Sequence, residues 1–301
     1  MNDGSEKPVA STGADAIRRI FGREKIVVGV VHCLPLPGGK GLNQAVLLAR
    51  AGLEVRFVAR IGRDAEGAAV RACLARENLA AELIEGVEPT DRSLILLDSA
   101  GENCIVSTAA AAAAMTAAEA VAALADPAPG ALLLQGNLSV ATTRAALEAA
   151  RSRGFVTVFN AAPVNPAFST FWPLVNLAVV NEREAEQLTG RAGEEAARQI
   201  IAAGAEHAVV TLGAKGALFA NRAGIEMRPA VAARAVDSTG AGDTFTAVLA
   251  AAHFARGLAW PAALDAAAAA AAITIGARGA LASFPSSKAL AAILDGALIR
   301  R

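Results

Sequence analysis

Tyrosine is missing from this sequence, and aromatic residues make up only 4% of its 301 positions. Any aromatic lining of a pocket must therefore come from phenylalanine or tryptophan. Cysteine is also scarce: Cys33, Cys73 and Cys104 are an odd number at wide spacing, with no CxxC pair. That argues against a disulfide framework and a cysteine-built metal site, and predicts reduced, mostly buried thiols. His32, His207 and His253 form no HxxxH pair, so each is expected to pack or to face solvent rather than to hold a metal. Neither sign of charge prevails, since 28 basic residues balance 28 acidic ones. Without a basic excess there is no electrostatic footprint for nucleic acid or an anionic membrane surface, and a small molecule is the expected partner. The run from Ala266 to Ala272, extended into "ITIGA", falls short of the roughly 18 to 20 apolar residues that a membrane span needs. The opening "MNDGSEKPVASTG" lacks the apolar core of a secretory signal, so a flexible tail and a cytoplasmic location are expected.

What the sequence does have is apolar material in a regular order. Hydrophobic residues make up 54% of it, enough to bury a large core. Short apolar or β-branched runs recur at 25–31, 55–62, 94–98, 131–136, 156–163, 177–182 and 208–213, and read as strands. Helical stretches lie between several of them, at 41–52, 65–78, 141–154 and 194–204, most ending near a glycine that can cap them. Alternating strand and helix predicts an α/β fold with a mostly parallel central sheet covered by helices on both faces, a three-layer sandwich. No internal repeat and no Pro- or Ser-rich linker divides the chain. The organisation expected is one domain over 25–301, preceded by an extension over 1–24.

In such a sheet, ligands bind beyond the carboxyl ends of the strands, in loops that lead into helices. One of these loops is "DSTGAGDTF", residues 237–245. The helix after it carries Phe245, Val248, Leu249 and Ala252 on one face. As a first-turn acid, Asp243 could simply favour the helix dipole, worth about 1 kcal/mol. That account leaves Gly240 and Gly242, with the small Ala241 between them, unexplained. Uncovered N–H groups at a positive helix end make an anion site. A carboxylate beside such a site suits phosphoryl transfer, with the N–H groups stabilising the moving phosphoryl and Asp243 accepting the proton of an acceptor alcohol. Neither common phosphate motif is present: Phe245 stands where GxGxxG needs its third glycine, and Gly41 follows Lys40 where a Walker loop needs Ser or Thr.

"DSTGAGDTF" resembles the C-terminal signature of the PfkB, or ribokinase-like, carbohydrate kinases, and "GGKGLNQAVLLARAGLEVRFVARIGRDAEG" at 38–67 resembles their N-terminal one. The resemblance continues in order through "GENCIVST", "LLLQGNLS", "NAAPVNP", "NEREAEQLTG" and "VVTLGAKGAL". It implies ATP and magnesium as co-reactants, with Asp243 as general base and the backbone of Gly240, Ala241 and Gly242 as anion hole. It also implies contacts to the acceptor from Gly39, Lys40 and Asn43, where glycines let the backbone approach a polyol closely. The alternative for that stretch is a tight turn capped by Asn43. Asn181 and Glu184 match the family's N-x-x-E, whose Glu orders water around magnesium; pure helix capping is the other reading. Thr211, Gly213, Lys215 and Gly216 would line the nucleotide, or form a plain turn. Asp237, Thr239 and Ser283 match positions that bind an activating monovalent cation such as potassium.

The sequence also departs from the family. Only "HCLPLP" separates the first strand from Gly38, a reach of about 20 Å, too short to run out and back as two lid strands. The lid is therefore expected to be reduced or absent, and the chain to be a monomer or a homodimer not formed through lid strands. Asn137 stands where the family has a sugar-binding Glu, and Ala267 where an Asn approaches adenine. Three readings follow: a kinase for a hydroxyl of a sugar or sugar-like molecule, a kinase for a nucleoside or vitamin-precursor alcohol, and a catalytically inactive ligand-binding homologue.

Overall fold

The computed structural model describes residues 37–77, 79–97, 103–125 and 130–296. Within them, α1 (Lys40–Arg50), β1 (Arg56–Ile61), α2 (Ala65–Arg76) and β2 (Ala80–Glu85) come first. β3 (Ser93–Leu97), β4 (Asn103–Ser107) and the short helices α3 (Ala110–Ala113) and α4 (Ala117–Ala122) follow. Next are β5 (Ala131–Gln135), α5 (Val140–Ser152), β6 (Val156–Asn160), a 3-10 segment (Pro166–Leu174), β7 (Leu177–Asn181), α6 (Glu182–Thr189), α7 (Gly193–Ala202) and β8 (His207–Thr211). The chain then runs through β9 (Ala217–Asn221), β10 (Gly224–Arg228), α8 (Ala241–Ala250), α9 (Trp260–Ile275) and α10 (Ser287–Leu294). The strand expected at 25–31 and the extension 1–24 lie outside the described residues.

The main sheet has six strands in the order β10-β9-β8-β7-β6-β5. β5 to β8 are parallel, while β9 and β10 return antiparallel at one edge. Alternate residues of these strands enter two different cores. Val158, Leu177, Val179, Val209 and Phe219 pack against residues of α1, α8, α9 and α10. Phe159, Ala178, Val180, Val210 and Leu218 pack against α5, the 3-10 segment, α6 and α7. Both faces are therefore covered, which is why these strands read as unbroken apolar runs. Each fully buried Val, Leu or Phe contributes roughly 1.5 to 3 kcal/mol.

β1 and β2 form a separate parallel pair, and β3 and β4 a separate antiparallel one. The antiparallel β3–β4 pair thus stands apart from the main sheet, a pairing that the sequence reading did not anticipate. The glycine stops were legible: α1, α5 and α7 are followed by Gly52, Gly154 and Gly204, all with positive φ. Among the described residues, no helix is long and apolar enough to cross a membrane.

The four parallel strands deliver one polar residue each at their carboxyl ends: Gln135, Asn160, Asn181 and Thr211. Register sets their depth, since Gln135 lies opposite Asn160, and Asn181 opposite Thr211. That polar rim is where α1 and α8 begin.

Candidate active site

Glycines, not capping side chains, open both helices: Gly39 precedes α1 with φ 106° and Gly240 precedes α8 with φ 81°. The left-handed backbone at Gly240 would be strained for any residue with a side chain, and an added Cβ would lie 2.6 Å from Phe284. At Gly242 an added Cβ would meet nothing within 4 Å, so the backbone there faces open space.

Lys40, Asn43 and Gln44 are spaced i, i+3, i+4 on α1 and share a face. That face meets Asp243 in the first turn of α8, where the carboxylate is buried at 6% exposure. Asn43 Nδ2 donates to Asp243 Oδ2 at 2.7 Å, and Gln44 Nε2 donates to Oδ1 at 3.0 Å. Lys40 Nζ stands 4.0 Å from Oδ1. Two amide donors and one ammonium thus surround a carboxylate whose burial would otherwise cost several kcal/mol. Asn43 Oδ1 is buried beside them without a hydrogen-bond partner.

The expected anion hole is narrower in this conformation. Ala241 N donates to the Ser238 carbonyl at 3.2 Å, which leaves Gly242 and Asp243 as the other first-turn N–H groups. At the end of β7, Asn181 and Glu184 form a complete capping box: Asn181 Oδ1 accepts from Glu184 N at 2.8 Å, and Glu184 Oε2 accepts from Asn181 N at 2.8 Å. The capping alternative therefore holds. Burial pushes the Glu184 carboxyl above the ordinary carboxylate range; Lys40 and the Asn181 N–H oppose this, while Asp243 adds to it.

Thr211 ends β8, and Gly213 to Lys215 form a short 3-10 turn that leaves Lys215 exposed. At Gly216, with φ 106°, an added Cβ would lie 2.0 Å from the Arg228 carbonyl. That glycine is required by the close approach of the segment after β10, whatever else it contacts. Asp237 Oδ1 accepts from Thr239 N at 2.9 Å and its Oδ2 from Gly279 N at 2.9 Å. Ser283 Oγ donates to the Gly279 carbonyl at 2.6 Å, so Asp237, Thr239 and Ser283 are knit together around Gly279. Burial works against the Asp237 charge, but the Gly279 and Thr239 donors outweigh it and hold the carboxyl below its usual range.

Ala267 is fully buried in the core that α8 and α9 share, where the helical phase turns it inward. Asn137 lies half-buried in the turn after β5, outside the hydrogen-bonded group around Asp243 among the described residues. Sequence reasoning missed Gln44, Gln135 and Asn160. Gln44 Nε2 also donates to Asn160 Oδ1 at 3.2 Å, and Gln135 Nε2 donates to Gln44 Oε1 at 2.6 Å. The signal was present: a polar residue closes each apolar strand run, and Gln44 falls one helical turn after Lys40.

Parallel strands ending in a polar rim, with two glycine-opened helices meeting at a buried carboxylate, are the architecture of an α/β enzyme whose ligands bind beyond the carboxyl ends of its strands. The comparisons agree. The model of the pfkB family of carbohydrate kinases matches residues 11–287. Over 221 residues the chain is 32% identical to a ribokinase of Haemophilus influenzae, covering 69% of this chain and 71% of that protein. The crystal structure of Thermotoga maritima ribokinase superposes with TM-score 0.72 at 30% identity, over 86% of this chain and 88% of that one. The Arabidopsis thaliana ribokinase complexed with ribose and ATP gives TM-score 0.74 at 26% identity, over the same shares. The chain belongs to the pfkB family and is an ATP-dependent carbohydrate kinase.

Proposed function

We propose that the chain transfers the γ-phosphoryl group of ATP to a hydroxyl of a sugar or sugar-like small molecule, with Asp243 as general base. The observation that carries this reading is the buried Asp243 carboxylate, set in the first turn of α8 and reached by Lys40 and Asn43 of α1. The acceptor O–H gives its proton to Asp243 as its oxygen bonds to the γ-phosphorus, and the bond from that phosphorus to the β-phosphate oxygen breaks to release ADP. The N–H groups of Gly242 and Asp243, at the positive end of α8, face the charge that develops on the transferring group. The unpartnered Asn43 Oδ1 is an acceptor for a second substrate hydroxyl. Gly39 and Lys40 line the same acceptor side, while Thr211, Gly213, Lys215 and Gly216 belong to the nucleotide side.

Magnesium, when bound, neutralises phosphate charge. Glu184 is the residue that fits it: a half-buried carboxylate with raised proton affinity gains from a nearby cation, and Oε1 remains for a coordinated water. Asp237, Thr239 and Ser283 would hold a monovalent cation, tested by comparing activity in potassium with that in an organic cation.

A second acceptor class has one observation in its favour. Gln135 Oε1 and the Phe57 ring lie 3.1 Å and 3.5 Å from where a Gly41 Cβ would sit. An aromatic ring beside an amide oxygen suits a flat heterocycle bearing an alcohol. The experiment that separates these readings is ADP production over a panel of pentoses, hexoses, nucleosides and pyrimidine alcohols, with Asp243→Asn alongside. The β3–β4 pair is, on this reading, what remains of the cover. The assembly is a monomer, or a dimer formed by another face; a dimer that falls apart when the β3–β4 pair is disrupted would sink that part.

A further inference from the structure

We infer that Gln44 is a positioning residue that fixes which oxygen of Asp243 receives the acceptor's proton. The inference rests on Asp243 being the general base. Gln44 is fully buried, and every polar atom of its carboxamide is engaged, so its orientation can be worked out from a fixed starting point. That point is the Val179 carbonyl, which can only accept. Asn160 Nδ2 donates to it at 2.9 Å, so Asn160 Oδ1 faces Gln44 and must accept. Gln44 therefore presents Nε2 to Asn160, and the second proton of the same nitrogen goes to Asp243 Oδ1 at 3.0 Å. Its Oε1 is left to accept from Gln135 Nε2 at 2.6 Å. No amide in this chain can flip without placing donor against donor or acceptor against acceptor.

The two oxygens of Asp243 are consequently unequal. Oδ1 is anchored by a donor that cannot turn away, with Lys40 Nζ 4.0 Å off. Oδ2 meets only Asn43, whose amide has an unpartnered oxygen and can rotate when a hydroxyl arrives. Oδ2 is the working oxygen and Oδ1 the hinge pin. The titratable groups facing this carboxylate are Lys40 from α1 and Glu184 from α6.

The test compares Gln44→Leu, Gln44→Glu, Gln135→Leu and Asp243→Asn in the full chain, with acceptor and ATP varied separately. For Gln44→Leu, kcat falls by about 30-fold or more while both KM values stay within about twofold, because positioning is lost and binding is kept. Gln44→Glu keeps the acceptor for Gln135 but can donate to Asp243 only when the pair holds a proton. Its kcat, taken relative to the wild type at each pH, rises as the pH is lowered from about 8 to about 6. A filler role would cost melting temperature without altering either the kcat-to-KM split or the pH profile. Gln135→Leu, which removes one bond of the chain, lowers kcat by about 3- to 10-fold and carries the test if the Gln44 variants do not fold. Near-wild-type kcat in folded Gln44→Leu, a loss confined to KM, a wild-type pH profile in Gln44→Glu, or unchanged kcat in Gln135→Leu would each overturn the inference. Activity surviving in Asp243→Asn would instead overturn the reading on which it rests.

Discussion

Asparagine at position 243 removes the proton acceptor while leaving almost everything else in place, and the hydrogen bonds around the residue say why. Asp243 accepts from Gln44 through Oδ1 and from Asn43 through Oδ2. Gln44 is locked, so the new amide must turn its oxygen toward it and its NH2 toward Asn43. Asn43 can answer by rotating its own amide, since its oxygen has no partner to lose. The swap therefore leaves no buried donor facing another, and the hydrogen-bond count is kept. What goes is the pairing with Lys40 at 4.0 Å, whose side chain is 35% exposed; an ion pair of that kind is worth at most about 1 kcal/mol. Folding stability should thus change by no more than about 1 kcal/mol, or roughly 2 to 4 °C in melting temperature for a domain of this size. Loss of a general base removes about 10²- to 10⁴-fold from kcat, or roughly 2.7 to 5.4 kcal/mol of transition-state stabilisation. Coupled ADP release at saturating acceptor, beside a thermal melt, measures both quantities. An Asp243→Asn protein that melts like the wild type and keeps kcat within tenfold would refute the argument.

Three further outcomes are expected. Gly240→Ala should lower the melting temperature by several degrees, because positive φ costs an L-residue about 1 to 2 kcal/mol and the methyl would press on Phe284; a neutral melt would show that the turn relaxes freely. Gly242→Ala should melt within about 2 °C of the wild type, since its methyl meets nothing, yet lose kcat by about tenfold or more as the methyl enters the phosphoryl site; unchanged kcat would remove Gly242 from that site. For Glu184, burial raises the folded-state pKa, so the folded protein binds a proton more readily than the unfolded chain. The stability this contributes is present below the ordinary carboxylate range and is lost as pH rises through the raised value. Glu184→Gln should therefore be at least as stable as the wild type at neutral pH, with the advantage shrinking on acidification, while its magnesium requirement rises; urea melts across pH would expose the reverse trend.

Much of this protein is written locally. Apolar runs with no polar alternation at 156–160 and 177–181 announced strands buried on both faces, and they are. The glycine stops and the apolar face of Phe245, Val248 and Leu249 followed from helical geometry alone. Asp243 among its glycines could be singled out because a carboxylate at a bare helix N-terminus is unusual chemistry within one short stretch. By contrast, the antiparallel return of β9 and β10 and the separate β3–β4 pair are pairing choices, and pairing depends on which partner is near. Ala267 turned inward because α9 packs against α8, a phase that seven consecutive alanines cannot encode. Gln44 stands 91 positions from Gln135 and 116 from Asn160, and each alone reads as an ordinary polar residue. Sequence determined the alternation of elements and the chemistry at the mouth of α8, because those depend on neighbours within a turn or two. Only the folded sheet decided which amides reach Asp243, because hydrogen bonds between distant residues exist only once strand register and helix docking bring them within 3 Å or so.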